Sequence, residues 1–460
     1  MSRISSDSPA TDGPATDGPL TDGPTGELSA SSPVRFSRAF WGLVGVLLAL
    51  CTIFVLLGFL QGPKLATAIV DADAVVAKSG QQLRIFTNQP IAAITAEQVT
   101  ITPAVAHSVT TSGDVIAVQF EARLAYATQY DVSIAGVLNP ALGQTSTISY
   151  RFTTASPRLY YLDRAESGAP DEIIATSLEG TDRTVVYSAP LVQSFTAIDA
   201  GLAVVTLSGE RESALDLVSV DGIAVERVSL PGPASIRELA AAESGSLIGF
   251  TLTSDDEGAF PEFSSTLMTL NLDGDRTVSP VLGLNGEPIT VLGWAFVPGT
   301  TSLIALTRES SLILIDPTLP GAIVPLGQYL EFVAISPDGS AVVVNDAVGS
   351  LAVSIADGSE ERLVPSPVEG DVAFLGQTVV LSNGNRVSKL ALFDAEGGRF
   401  QSVLALDDGA QSLPLFRTTN DAGSIEQFAI SPNEQFVAVI VEIATGELVR
   451  SLDGFGLVWR

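Results

Sequence analysis

A short turn that closes on glycine recurs along residues 156–460 and limits what this chain can fold into. Its seven copies are Leu178-Glu179-Gly180, Val220-Asp221-Gly222, Leu272-Asp273-Gly274, Leu319-Pro320-Gly321, Ala356-Asp357-Gly358, Ala395-Glu396-Gly397 and Leu452-Asp453-Gly454. Their glycines are about 46 residues apart on average. Because glycine tolerates the positive φ of a tight turn, Asp-Gly between apolar runs is a strong hairpin signal. The spacing therefore predicts an array of β-hairpins.

A second repeated element lies between these turns. Its best copies are Phe332–Val344, which contains Ser336-Pro337-Asp338-Gly339, and Phe428–Val439, with weaker copies at Trp294–Gly299 and Val372–Gly376. Each copy predicts a strand, a tight turn and a second strand. Two turns per repeat indicate a four-stranded unit, and radial stacking of such units gives a β-propeller. Seven turns favour seven blades, with six as the alternative, and the lack of a helical period excludes a helical solenoid.

The string Ala334-Ile335-Ser336-Pro337-Asp338-Gly339, followed by Val342-Val343-Val344, resembles the propeller repeats of the TolB and WD40-like families. Two of the blades carry this resemblance strongly, and no Trp-Asp dipeptide occurs in the chain. The resemblance implies a propeller over residues 156–460.

Residues 61–155 predict a linker followed by a β-sandwich. Ile116, Val118 and Phe120 alternate with smaller or polar residues, which is typical of a strand with one buried face. The string Leu124–Ile134 and the later Tyr150–Thr154 resemble the bacterial Ig-like domains of surface and envelope proteins. In such proteins these domains usually act as spacers, so the resemblance implies a spacer here.

Residues 39–60 contain no charged residue over 22 positions, enough for a helix to cross a bilayer. Arg35 and Arg38 precede this segment and only Lys64 follows closely, so the positive-inside rule places the N-terminus in the cytoplasm. Two alternatives are lipidation at Cys51, disfavoured by the preceding Leu50, and signal-peptidase cleavage near Ala66-Thr67-Ala68.

Residues 1–38 form a cytoplasmic tail with repeated Thr-Asp-Gly-Pro units. Pro and Gly every five residues block regular structure, so we expect disorder. The alternative gives the threonines of the tail a role as kinase or docking sites: Thr11, Thr16, Thr21 and Thr25.

Composition excludes several functional classes. The chain has 52 acidic and 23 basic residues, a net charge of −29, and so lacks the basic footprint that nucleic acid requires. A single cysteine, Cys51, excludes a disulfide framework and a cysteine-based zinc site. The single histidine, His107, falls outside the predicted propeller and excludes a His-dependent triad or metal centre there. We expect His107 to be a surface residue between strands.

One acidic loop offers clustered oxygen ligands for Ca²⁺: Asp255, Asp256, Glu257 and Glu262. A solvated insertion is the interpretation that we favour for this loop. Carboxylates are the remaining candidates for catalytic residues, but the sequence does not identify which pairs face the central channel of the propeller. We therefore predict no catalytic residue and no cofactor.

Together these patterns predict an all-β ectodomain, an Ig-like sandwich plus a propeller, on a single-pass membrane protein of a bacterial envelope, which we expect to be actinobacterial. The leading hypothesis is a non-catalytic binding or scaffold protein whose propeller holds an envelope protein or peptide. The alternatives are a carbohydrate-active enzyme with paired carboxylates and a wall-glycan-binding module. From Gln61 onward the chain carries 47 acidic and 20 basic residues, which favours neutral or basic partners.

Overall fold

The computed structural model describes residues 33–59, 61–165, 168–178, 180, 182–207, 212–243, 246–254, 263–319, 321–369, 373–394, 399–417, 425, 428–437, 441–442 and 455–459. The chain divides into two compact units, Met1–Gln61 and Gly62–Arg460.

The first unit contains helix α1, Pro33–Phe59. Apolar side chains such as Trp41 and Leu48 are exposed along its described part. Over the part of the chain that the structure describes, no helix has the combined length and hydropathy required to span a membrane.

The second unit begins with two sheets and two short helical segments. Its elements are β1 Leu65–Ile69, α2 Ala74–Ala77, β2 Gln82–Thr87, a 3-10 turn at Ala96–Gln98, β3 Val99–Thr102, β4 His107–Ser112, β5 Val115–Phe120, β6 Gln129–Leu138 and β7 Thr145–Thr153. One sheet has the order β1-β2-β5-β4 and the other the order β3-β6-β7.

These two sheets form a sandwich around one core. In β5, Ile116, Val118 and Phe120 are buried whereas Gln119 is exposed, so the alternation read from the sequence is confirmed. Ile134 of the second sheet belongs to the same buried cluster. Burial of one face of each sheet is what holds the sandwich together.

The rest of the second unit consists of consecutive antiparallel sheets. Its strands are β8 Arg158–Asp163, β9 Asp171–Ser177, β10 Thr184–Ala189; β11 Val192–Ile198, β12 Gly201–Leu207, β13 Ser213–Ser219, β14 Val225–Arg227; β15 Ala234–Ala241, β16 Leu247–Ser254, β17 Thr266–Asn271, β18 Val278–Pro280; β19 Val291–Phe296, β20 Leu303–Thr307, β21 Ser311–Ile315, β22 Ile323–Gln328; β23 Glu331–Ile335, β24 Ala341–Asn345, β25 Ser350–Ser354, β26 Glu360–Arg362; β27 Ala373–Val380, β28 Arg386–Asp394, β29 Arg399–Asp407, β30 Ser412–Arg417; β31 Phe436–Val437, β32 Val441–Glu442; and β33 Phe455–Trp459.

Five of these sheets are sequential four-stranded meanders, and a sixth has the order β10-β9-β8-β33. The C-terminal strand β33 therefore completes the sheet that begins this region. The inner strands of successive sheets lie side by side. The inner strand of the closing sheet is β33, which contacts β11, and the inner strand of each other sheet is its first strand: β11 contacts β15, β15 contacts β19, β19 contacts β23 and β23 contacts β27. Sheets arranged with their first strands around a common axis, and closed by the last strand, have the architecture of a β-propeller. We call this assembly the ring.

Three of the glycine-closed turns lie wholly within the described residues, and each connects the third and fourth strands of its sheet: 220–222, 272–274 and 356–358. In the turns at 178–180 and 319–321 the middle residue lies outside the described part. The aspartate also stabilises the turn, because Asp221 Oδ1 accepts a hydrogen bond from Ile223 N at 3.1 Å. The turns at 395–397 and 452–454 lie outside the described residues, between β28 and β29 and just before β33.

The Ser-Pro element connects the first and second strands of its sheets. Ser336-Pro337-Asp338-Gly339 links β23 to β24, and Pro298 lies between β19 and β20. The weaker copy at Val372–Gly376 predicts a strand that ends in a tight turn. Its described residues 373–376 lie inside β27, so the strand is confirmed, whereas the turn at Gly376 is wrong, because the strand continues there with a register shift against β28. An irregular strand with a glycine resembles a turn in sequence.

Candidate functional site between the sandwich and the ring

Arg123, in the loop after β5, joins the sandwich to the ring. Its side chain is 12% exposed. Its Nε donates a hydrogen bond to the Ala77 carbonyl at 2.8 Å, and its Nη1 donates to the carbonyls of Pro337 (3.1 Å) and Pro432 (2.7 Å). Its Nη2 lies 2.5 Å from Glu243 Oε1. One guanidinium therefore binds groups from the sandwich and from three different sheets of the ring.

The residues that follow Arg123 also bind the repeated turns. The Leu124 carbonyl accepts a hydrogen bond from Asn433 Nδ2 at 3.2 Å, and Tyr126 N donates to Gln435 Oε1 at 3.1 Å. The Ser-Pro turns that the sequence predicted as connections are thus also the surface on which the sandwich sits.

Aromatic side chains continue this contact to the closing strand. The ring of Tyr126 stacks on Phe436, with centroids 6.5 Å apart, and Phe436 stacks on Trp459 at 6.2 Å. Phe436 belongs to the buried cluster of the sandwich, and Trp459 packs against that cluster from β33. The sandwich, which the sequence predicted as a spacer, therefore shares a hydrophobic core with the strand that closes the ring.

A cavity of about 1040 Å³ lies where the sandwich covers the ring. Its floor is formed by the ends of first strands, at Ile198, Ala241, Ile335 and Val379, and its roof includes residues of α2. These ends mark one face of the ring, which we call the sandwich face.

The polar lining of this cavity is incompletely hydrogen-bonded. Burial raises the pKa of Tyr126 to about 12, with Arg123 opposing the rise and Glu243 adding to it. Within the described part of the chain, the buried atoms Tyr126 Oη, Glu243 Oε2 and Trp459 Nε1 have no hydrogen-bond partner. All three residues line the cavity. These side chains carry hydrogen-bond donors in the phenol and the indole, and acceptors in the phenol and the carboxylate.

The opposite face of the ring carries a cluster of exposed aromatic rings. Phe374 lies at the start of β27, and Phe393 and Phe400 lie at the adjoining ends of β28 and β29, away from the sandwich face. Ring centroids are 5.8 Å apart for Phe374–Phe400 and 5.3 Å for Phe393–Phe400. Each of the three side chains is more than half exposed. We call these residues the phenylalanine cluster.

The remaining candidates from the sequence are the calcium ligands of the acidic loop. The calcium candidates Asp255, Asp256, Glu257 and Glu262 lie outside the described residues. Among described residues, no group of three or more His, Cys, Asp or Glu side chains is placed to hold a metal ion.

The prediction for His107 needs correction. The residue begins β4 rather than lying between strands, and it is half-buried rather than a free surface residue. Its Nδ1 lies 2.9 Å from the Val105 carbonyl. The polar stretch around it, Ala106 to Ser112, lacks the apolar alternation that reveals β5, so the sequence did not show the strand.

No family model matches the chain, and no curated protein matches it significantly. Solved structures with a similar arrangement include TolB from Acinetobacter baumannii, 12% identical, covering 79% of this chain and 82% of that one, with a TM-score of 0.36. An oligogalacturonate lyase in complex with manganese is 10% identical over 84% and 96%, with a TM-score of 0.41. The Cps50 (Swd1) β-propeller domain from Myceliophteria thermophila is 12% identical over 65% and 90%, with a TM-score of 0.38. At these values no residue role is transferred, and the propeller assignment rests on the sheet order described above.

Sequence reasoning did not find Arg123, Glu243 or the phenylalanine cluster. Arg123 directly precedes the string that resembles the Ig-like family, and only its position after a predicted strand distinguishes it. Nothing in the local sequence marks Glu243 as its partner.

Proposed function

We propose that the protein is a non-catalytic binding protein whose ring holds an envelope protein or peptide on the face away from the sandwich. The phenylalanine cluster is the observation that supports this most directly. Three neighbouring aromatic side chains with exposed rings, as Phe374, Phe393 and Phe400 are, are typical of interaction hot spots.

The contact through Arg123 supports the choice of face. The sandwich occupies the sandwich face, so a partner of protein size has access to the other face. The excess of acidic residues from Gln61 onward repels anionic lipid headgroups. We therefore commit to a protein partner with an apolar patch and a neutral or basic rim.

The anchoring and the domain names belong to the same proposal. We propose that residues 39–60 cross the membrane with the N-terminus in the cytoplasm, and that the sandwich is Ig-like. We propose a seven-bladed ring, because β31 and β32, with the bridge between Ile430 and Val437, supply part of a further sheet beside the six four-stranded ones.

The test compares three forms of the full-length protein as bait for chemical crosslinking in membranes. In one form Phe374, Phe393 and Phe400 are changed to Ser, which leaves the core intact because all three are exposed. The matched control is Ile223→Ser, an 82% exposed apolar residue in the turn that follows Val220, which lines the cavity on the sandwich side. We expect a specific envelope protein to crosslink to the wild type and the control, and to be lost with the triple variant.

Equal recovery of every crosslinked protein with the triple variant and the wild type would contradict the proposal. Once a partner is identified, its affinity for each purified form of the protein measures the effect. Truncation of each hot-spot aromatic is expected to cost about 2 kcal/mol or more of binding free energy.

A carbohydrate-active enzyme is the second candidate, because the cavity is lined by carboxylates: Asp71, Asp73, Asp199 and Glu243. Hydrolysis of wall glycan by the purified protein, abolished by Asp199→Asn, would favour this alternative over binding.

A further inference from the structure

The inner strands of the ring contain few charged residues. Among the six inner strands that the structure describes, charged side chains occur only at Arg237, Glu238 and Glu331. Glu331 begins β23, and its Oε2 accepts a hydrogen bond from Asn345 Nδ2 at 2.7 Å. Glu238 lies in the middle of β15 instead, and its side chain is exposed. Inner strands surround the central channel of a propeller, so Glu238 is a solvent-accessible carboxylate in a nearly uncharged channel wall.

The backbone of β15 is irregular at this carboxylate. The ladder to β16 shifts register between Arg237 and Ala240, so Glu238 and Leu239 together face one residue of β16. A bulge of this kind bends the strand away from its partner, and β16 lies on the side away from the channel. Glu238 also has a φ of +52°, a left-handed conformation that glycine adopts without strain and glutamate does not. A strained residue at a bulge beside a channel is typical of a functional position.

Trp294, on the neighbouring inner strand β19, lies beside this carboxylate. It is 7% exposed and packs over Gly249, where an added Cβ would lie 2.4 Å from Trp294 Cη2. Glycine at position 249 is therefore what leaves room for the indole. The indole N–H lowers the pKa of Glu238, although its Nε1 completes no hydrogen bond within the described residues. A donor of this kind orients a carboxylate without neutralising its charge.

No described cation pairs with Glu238. Burial raises the pKa of this carboxyl, whereas the Trp294 indole and the adjacent Arg237 lower it. Arg237 is exposed and forms no ion pair with Glu238 within the described chain. Because enclosure by the channel wall disfavours the charged carboxylate, a cation placed against it by a second molecule would lower that cost. The position therefore favours a cationic ligand.

We propose that the protein partner places a basic side chain in the central channel, where it donates a charge-assisted hydrogen bond to the Glu238 carboxylate. This inference rests on the proposed binding function and names the chemistry of the partner. The sandwich covers one mouth of the channel, and Glu238 is not among the residues that line the cavity beneath it, so the partner enters from the opposite face. The acidic excess from Gln61 onward attracts a partner with such a charge.

The test titrates the full-length protein in detergent with two blocked peptides, acetyl-Phe-Lys-Phe-amide and its norleucine analogue, which lacks only the ammonium group. Isothermal calorimetry, with a detergent blank subtracted, is expected to show that the wild type binds the lysine peptide about tenfold or more tighter. Glu238→Gln is expected to bind the two peptides equally, because the charge of the carboxylate is lost. The matched control is Glu361→Gln, which removes the same charge from the outermost strand β26 and should keep the preference.

Glu238→Gly separates a functional role of this residue from a structural one. Glycine adopts the left-handed conformation without strain, so we expect the native circular dichroism spectrum and an unfolding midpoint no lower than that of the wild type. The preference for the lysine peptide should be lost in the same variant. A folded Glu238→Gly protein that keeps the preference would contradict the inference.

Three further results would overturn the inference: no saturable binding of the lysine peptide at millimolar concentration; the same preference in Glu238→Gln as in the wild type; or binding of butylammonium as tight as that of the lysine peptide, which would assign the site to a free amine. The crosslinking experiment distinguishes this inference from the proposed function. A partner that crosslinks as expected, without a preference that depends on Glu238, overturns this inference alone. A preference that depends on Glu238, without a crosslinked partner, overturns the proposed function alone.

Discussion

Tyr126 shows how one residue takes part in three kinds of interaction. Its backbone N–H binds Gln435, its ring stacks on Phe436, and its hydroxyl is buried beside the cavity that the residue lines. Because the hydroxyl is buried, the neutral phenol is favoured over the phenolate, which explains the raised pKa.

This predicts a loss of stability at alkaline pH. The pKa of Tyr126 is about 12 in the folded protein, against 10.0 ordinarily. Stability from this group is therefore fully present below pH ~10 and is lost as the pH rises toward ~12. We expect the difference in unfolding free energy between wild type and Tyr126→Phe to shift by roughly 2 to 3 kcal/mol across this window. Urea unfolding at several pH values measures it, and parallel curves for the two proteins would contradict the prediction.

At the scale of elements, the Ser-Pro turns have two separate sets of hydrogen bonds. Ser336 Oγ accepts a bond from Ala341 N, and Ser431 Oγ accepts one from Phe436 N, which closes each turn internally. The carbonyls of the following prolines remain available, and Arg123 binds both. The turns can therefore close their hairpins and receive the sandwich at the same time.

We predict that Arg123→Met destabilises the protein by about 3 kcal/mol, because it leaves the Glu243 carboxylate buried without its partner. The matched control is Arg151→Met, whose ion pair with Asp131 is exposed, and we expect a cost of about 0.5 kcal/mol there. Urea unfolding measures both changes. Equal effects of the two substitutions would show that the Arg123 contacts contribute little.

At the scale of the whole second unit, β33 completes the first sheet while its Trp459 packs against the sandwich core. Ring closure and sandwich docking thus involve the same strand. We infer that the two regions unfold together, since removing one exposes the apolar surface of the other.

Truncation after residue 454 tests this inference. It removes β33, so β8 loses its partner on the side of the ring axis and Trp459 is lost from the sandwich core. We expect calorimetry to show a midpoint lowered by about 5 °C or more, consistent with a loss of at least a few kcal/mol. Removing residues 1–32 is the control, because they belong to the other compact unit, and should leave the transition unchanged. An unaltered midpoint after truncation would contradict the inference.

The sequence by itself determined the local elements. Alternation in β5 and the Asp-Gly turns that close on Gly222 and Gly358 predicted strands and hairpins correctly, because these depend on the side-chain period and on the positive φ of one glycine. The same reasoning failed for His107 and Gly376, where a strand lacks apolar alternation or contains a turn-like glycine.

Only the tertiary structure decided which elements meet. Arg123 binds carbonyls 214 and 309 residues away in the chain, and the phenylalanine cluster forms only when three strands align. No local pattern encodes such pairings, because they follow from closing the ring and seating the sandwich on it. The sequence therefore determined the hairpins, and packing over long separations determined the cavity and the exposed face that carry the proposed functions.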